Sequence, residues 1–313
     1  MGGKAGVRVA LMKDRREILD SIPDPLCILN KDWIGPGVQF IADPFLRRYR
    51  DRWMLFFEVM RDDGHKQVGV AESLDLVQWE MIGFPLGEAP CSFPYVLWHA
   101  GCWWMFPYHD ETHDLLVYRA TEPEFPLHWH EWARFELDKS ANDRVVVPLA
   151  DRLVVLYGSR ILPWAGTCLK WGFLSFDAKV FCPGGYIGIR SPIQWFANRI
   201  WGKSITTYRP AGDRLTVKNR FYLPLQAYGY QREYGNQLGL FRLTFSNGKP
   251  RIKPLTYFKA SHFVPRWDFT HHLSNQWDGD HLVLAMDGHS TGLKWEIGIF
   301  RADVHQVLYT DSK

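Results

Sequence analysis

A set of four short extended segments recurs five times along this chain of 313 residues, at a spacing of about 50 to 60 residues. No segment carries the 3.6-residue apolar period of a helix four turns long. No linker-like stretch divides the chain. These three observations predict an all-β fold: one domain over 1–313, built as a five-bladed β-propeller of four-stranded antiparallel blades. A β-sandwich accommodates similar strands but leaves the five repetitions unexplained.

Blade one is expected near 38–87. Ala42-Asp43-Pro44-Phe45-Leu46 leads through a turn at Arg50-Asp51 into Trp53-Met54-Leu55-Phe56-Phe57-Glu58, with outer strands over 67–71 and 77–82. Blade two, near 91–137, opens with Ser92-Phe93-Pro94-Tyr95-Val96 and turns at Ala100-Gly101. Blade three, near 141–185, turns at Ala150-Asp151, and blade four, near 191–258, takes strands over 204–208, 221–226 and 237–244. Blade five, near 269–307, starts at His271-His272-Leu273-Ser274, turns at Asp278-Gly279-Asp280 and ends on an outer strand over 294–300. An N-terminal strand over 6–12 is expected to complete blade five and close the ring.

Composition narrows the function. Hydrophobic residues make up 46% of the chain and aromatic residues 15%, with 15 Trp and 20 Phe, enough for a large core and for a carbohydrate-stacking cleft. The formal charge is +3 with no basic block, which argues against a nucleic-acid partner. No run approaches the ~20 apolar residues of a membrane span, and Met1 to Arg16 lacks the apolar stretch of a signal peptide. Cys27, Cys91, Cys102, Cys168 and Cys182 are odd in number and lack metal-site spacing, which predicts reduced thiols and a cytoplasmic location.

The innermost strand of each propeller blade lines the central channel, so its start and the end of the second strand share one mouth. Strict antiparallel pairing about each turn sets Asp43 opposite Glu58, Ser92 opposite His109 and Asp143 opposite Gly158, beside Arg160. It also sets Arg209 opposite Gln226 and His271 opposite Asp287, with His272 adjacent. Two facing carboxylates resist joint ionisation, so one pKa of the Asp43/Glu58 pair is expected to rise. Each residue also has a structural reading: Asp43 as a turn former before Pro44, Glu58 as a partner of Arg209, and His271 with Asp287 as a satisfied pair. His109-Asp110-Glu111-Thr112-His113 is not in zinc-protease order, and no metal site is assigned.

Several blocks carry a resemblance. Ala-Asp-Pro-Phe-Leu (42–46) with Trp-Met-Leu-Phe-Phe-Glu (53–58) resembles the first blade of the propellers of glycoside hydrolase families 43, 32 and 68. Ser-Phe-Pro-Tyr-Val (92–96), Leu-Val-Tyr-Arg-Ala (116–120), Tyr-Arg-Pro-Ala-Gly (208–212), Tyr-Gly (234–235), His-His-Leu-Ser (271–274) and Met-Asp-Gly-His (286–289) resemble the N-terminal domain family of glucosamine inositolphosphorylceramide transferases. The family 43 resemblance implies Asp43 as general base. Asp143 stands where the acid would begin blade three, but as Asp in place of Glu, and blade two has no carboxylate at the tuning position.

The resulting expectation is a carbohydrate-active enzyme working on a glycosidic bond of a glycan or glycoconjugate. Its catalytic residues would be Asp43, Glu58 and Asp143. Tyr95, His109, Arg160, Arg209, Gln226, His271, His272 and Asp287 would hold the saccharide, with no cofactor. A glycosyltransferase or phosphorylase on the same scaffold, or a sugar-binding module serving a partner glycosyltransferase, are the alternatives.

Overall fold

The computed structural model describes residues 7–9, 19–22, 24–150, 152–160, 167–187, 207–217, 219–228, 237–290 and 294–303. Alternation of apolar residues and tight turns builds five antiparallel sheets, four of them four-stranded and one with an added short strand, arranged as a five-bladed propeller. Blade one comprises Val38–Tyr49, Arg52–Arg61, Lys66–Ser73 and Glu80–Gly83. Blade two comprises Cys91–His99, Cys102–His109, Leu115–Ala120 and His130–Phe135. Blade three comprises Asn142–Pro148, Leu153–Arg160, Thr167–Ser175 and Val180–Tyr186. Blade four takes Thr207–Pro210, Arg220–Tyr228, Gln237–Ser246 and Lys249–Tyr257, with Leu215–Val217 as the added strand. The start expected for it at Ser204 lies outside the described residues.

Ring closure differs from the expectation. Blade five runs Phe269–Asp278, His281–Ser290, Lys294–Asp303 and then Cys27–Asn30, so the closing strand lies some twenty residues beyond 6–12. Val7–Val9 pairs instead with Leu19–Ile22 in a separate two-stranded sheet. Cys27-Ile28-Leu29-Asn30 is too short for its apolar pattern to mark it as a strand. Leu29 packs with Leu46, Leu55, Phe57, Val283 and Ile299, a core shared by blades one and five.

The turns follow local chemistry. Ala100 and Gly101 both take positive φ (50° and 76°), as a tight two-residue hairpin connection requires. The five cysteines carry no disulfide. No helix among the described residues is long and apolar enough to cross a membrane.

Candidate functional site

Strict pairing holds near the turns and then breaks at the same place in four blades. In blade one Phe45 faces Phe56, but Glu58 faces Ala42, because Asp43 and Pro44 together oppose one residue. Blade two slips likewise at Phe93-Pro94, so Tyr108 faces Ser92 and His109 faces Cys91. Blade three slips at Asp143, leaving Gly158 opposite Asn142. Blade five slips at His271 too, but Asp287 lies on the turn side of that slip and faces His272 because the pairing is centred between Gly279 and Asp280 and not on Gly279. The pairs Asp43/Glu58, Ser92/His109, Asp143/Gly158 and His271/Asp287 are therefore each one residue out, and only Arg209/Gln226 stands as expected.

Each slip is a β-bulge on an innermost strand, where a sheet edge tolerates the unpaired residue and the missing N–H of Pro44 and Pro94. Asp43, Phe93 and Asp143 have φ of 50°, 47° and 32°, left-handed values that Asp tolerates better than most residues. A bulge re-aims its side chain, and here the bulged Asp43, Asp143 and His271 enter one ionic network.

Asp287, fully buried, organises blade five's side of this network. Its Oδ1 accepts the backbone N–H of His272 (3.0 Å) and meets His271 Nδ1 at 2.7 Å, while its Oδ2 accepts the backbone N–H of Asp43 (2.8 Å). Asp287 thus locks the bulge of blade one to that of blade five. His271 Nε2 then stands 3.6 Å from Asp43 Oδ1, and buried His272 presents Nδ1 at 3.4 Å to the same oxygen. The His272 ring lies edge-on to Phe45 and Phe93, with centroids 4.5 and 5.2 Å away. Burial works against charge on His271, but the carboxylate of Asp287 outweighs it and raises the imidazole pKa.

The two carboxyls of blade one are driven apart. Burial opposes ionisation of Asp43, yet the charges of His271, His272 and Arg209 hold its pKa well below the usual carboxylate range. Burial pushes Glu58 up to about 8, against the pull of Lys66, whose Nζ is 3.8 Å from Glu58 Oε1. The charge of Asp43 adds to this rise less than burial does, so desolvation and not like-charge repulsion dominates. Lys66 also pairs with Asp110 at 3.2 Å. Asp143 lies 3.1 Å from Arg209 Nη1; burial raises its pKa and Arg209 partly offsets that rise. The partner expected for Glu58, Arg209, thus belongs to Asp143, and Arg209 Nε additionally donates to Gln226 Oε1.

Three expected residues stand apart from the ionic network. Tyr95 is buried, gives its hydroxyl to the Val146 carbonyl (2.6 Å) and lies under the Arg47 guanidinium at 5.6 Å. Both contacts lie away from the Asp43 network. His109 is half-buried, and its Nδ1 accepts the Glu111 N–H at 3.3 Å. Arg160 is exposed at the end of its strand, and its backbone N–H donates to Ser140 Oγ. Sequence reasoning missed Lys66 and Trp295, whose ring lies 4.5 Å from His271 and 4.6 Å from His289. Lys66 gave no signal because its two partners come from different blades. Asp43, His271 and Asp287 place ligand-capable atoms within 4.8 Å of one another. Both Asp287 oxygens already accept hydrogen bonds there, so this set makes a poor cation cage.

Comparison with known proteins bears on the family resemblance and on the fold. Residues 25–167 match the family described as "Glucosamine inositolphosphorylceramide transferase 1, N-terminal", so the resemblance read from the motifs holds over that span; the blocks from 208 onward lie beyond it. The chain is 38% identical over 130 residues to glucosamine inositolphosphorylceramide transferase 1 of Oryza sativa subsp. japonica, covering 39% of this chain and 16% of that protein. The Arabidopsis thaliana protein of the same name is 40% identical over 102 residues, 30% of this chain and 12% of that one. The chain therefore matches only a minor part of the length of these relatives.

Among solved structures, the catalytic domain of the Coprinopsis cinerea GH62 α-L-arabinofuranosidase superposes with a TM-score of 0.64 at 14% identity, over 95% of this chain and 97% of that one. The Bombyx mori GH32 β-fructofuranosidase superposes at 0.59 with 12% identity, over 83% and 59%. At such identities the likeness establishes the shared propeller fold. Relatives by sequence and by fold are both carbohydrate-acting enzymes by name.

Proposed function

We propose that this propeller acts on a glycosidic bond of a glycan or glycoconjugate, with Asp43 as general base and Glu58 as general acid. One observation carries the reading: Asp43 is held ionised while Glu58 is pushed up to about 8, so at neutral pH one carboxyl can take a proton and the other give one. Glycosidic cleavage or transfer needs that division of labour, since the leaving oxygen must be protonated as a nucleophilic oxygen is deprotonated. Asp143, tied to Arg209, serves better as an anchor than as an acid. Arg209, Gln226 and a protonated His271 supply donors suited to sugar hydroxyls or to an acidic group. Trp295 beside His271 offers a ring face for stacking.

A second reading has its own support. The matched family is an N-terminal part, and the match occupies 16% of the rice protein, which favours a sugar-binding propeller serving a transferase. The Asp43→Asn variant separates the two. With a glycan or nucleotide-sugar panel as substrate, enzyme action predicts retained ligand binding and turnover reduced by at least ~100-fold. Loss of sugar binding in Asp43→Asn with no turnover by the parent protein establishes the binding module instead.

A further inference from the structure

The end of the axis opposite the candidate site holds a cavity. Arg47 and Arg48 follow Asp43 by four and five residues along the innermost strand, a separation of roughly 13 to 17 Å at the usual strand rise. At that depth a cavity of about 370 Å³ opens between the five blades, lined among others by Arg48, Trp98, Trp103, Arg214 and Gln276. Its floor is closed by Arg47 and Asp213, which form a two-pronged ion pair at 2.7 and 2.8 Å.

Three features of this lining are unspent. First, Arg48 and Arg214 have no carboxylate partner among the described residues. Each lies over an aromatic ring, Trp53 at 4.7 Å and Phe221 at 4.7 Å. Such stacking fixes a guanidinium while leaving its N–H edge to bond an anion. Second, the indole N–H of Trp103 is buried and meets no acceptor, although Trp103 is only 6% exposed. An unpaired buried donor carries a desolvation penalty that an acceptor would remove. Third, Trp98 is 49% exposed on the same wall, its ring 5.3 Å from that of Trp103. A large exposed indole beside fixed cations is a combination that stacks a pyranose and holds its charged substituent.

The geometry points to a second ligand site at this mouth, for an acidic monosaccharide: a sugar carrying one phosphate or carboxylate. The volume lies at the small end of the roughly 300–1,000 Å³ usual for ligand pockets, which suits one ring and its charged group. The anion meets Arg48 and Arg214, the ring lies on Trp98, and an acceptor oxygen takes the Trp103 N–H. The site shares no lining residue with the acid–base mouth, so it stands or falls independently of the function proposed above.

Calorimetric titration of the whole protein with glucose 6-phosphate, glucuronate, inorganic phosphate and glucose tests this. Saturable binding is expected for at least one acidic sugar and not for glucose, with inorganic phosphate weaker. The sugar that binds, phosphorylated or carboxylated, identifies the anion. Arg48→Gln and Arg214→Gln should each weaken it by about tenfold, the scale of one charged hydrogen bond. Trp98→Ala should weaken it too, and Asp43→Asn should leave it unchanged. Arg48 and Trp98 are exposed, so their variants should melt as the parent does. The proposal is overturned if neither acidic sugar binds in the millimolar range, if inorganic phosphate binds as tightly as the sugar, or if the arginine variants bind normally. Loss of binding in Asp43→Asn overturns it as well, by assigning the ligand to the other mouth.

Discussion

At the scale of single residues, the candidate site rests on unequal treatment of two carboxyls, Asp43 and Glu58, in one hairpin. Glu58 is buried, and neither Lys66 nor His271 offsets that burial, so its proton is held more tightly in the folded than in the unfolded chain. Stability due to this group is complete below its ordinary 4.5 and is lost as pH rises to and through about 8. Glu58→Gln should therefore melt like the parent near pH 4 and increasingly above it toward pH 9, in scanning calorimetry at matched salt. A constant difference across that range would mean that Glu58 titrates normally. The opposite holds for Asp43, whose lowered pKa makes its charge stabilising at neutral pH. Two facing like charges would predict an unchanged or higher melting temperature for Asp43→Asn; the two histidines and Arg209 reverse that expectation. Residue types and neighbourhood were legible in the sequence, but the sign of this effect was not. It depends on side chains from blades four and five that no local pattern connects to Asp43.

At the scale of elements, the bulge explains what pairing arithmetic missed in blades one, two and three, while in blade five the turn is centred half a residue further along. Asp43-Pro44, Phe93-Pro94, Asp143 and His271 each insert one residue, which shifts every partner beyond it by one. The two prolines were a readable sign of an irregular edge strand; nothing comparable marks Asp143 or His271. The Tyr-Arg-Pro-Ala-Gly block of blade four has an equally local explanation. Gly212, at φ 134°, runs against the innermost strand of blade five, and a Cβ there would lie 1.8 Å from the Leu273 carbonyl oxygen. That approach lets Asp213 N–H bond Leu273 O at 3.1 Å and aims the Asp213 side chain at Arg47. Gly212→Ala should thus destabilise by more than about 1 kcal/mol, beyond the usual Gly-to-Ala scale, as read from urea unfolding. A neutral or stabilising result would show that the two blades do not approach so closely.

At the scale of the molecule, four of the five blades are tied along one axis by a buried network below the candidate site. Arg47 of blade one binds Asp213 of blade four and the Val96 carbonyl of blade two, and Ser274 and Asn275 of blade five donate to Asp213. Asp213→Ala would leave the Arg47 charge buried without its partner, a loss of about 3–5 kcal/mol, measurable as a lower urea midpoint with an unchanged slope. Five-fold recurrence made the ring legible in the sequence, because strand period and turn chemistry are local. The closing strand at Cys27–Asn30 was not, since four residues carry too little pattern to outweigh a longer apolar run nearer the start. Closure is what brings Asp287 and His271 against Asp43, and so what separates the two carboxyls of blade one. The direct measurement is a carbon-detected NMR titration of the Asp and Glu side-chain carboxyls, assigned with Asp43→Asn and Glu58→Gln. The account predicts an apparent midpoint near 8 for Glu58 and an Asp43 that stays ionised down to pH 4. Ordinary midpoints near 4 for both carboxyls would contradict it.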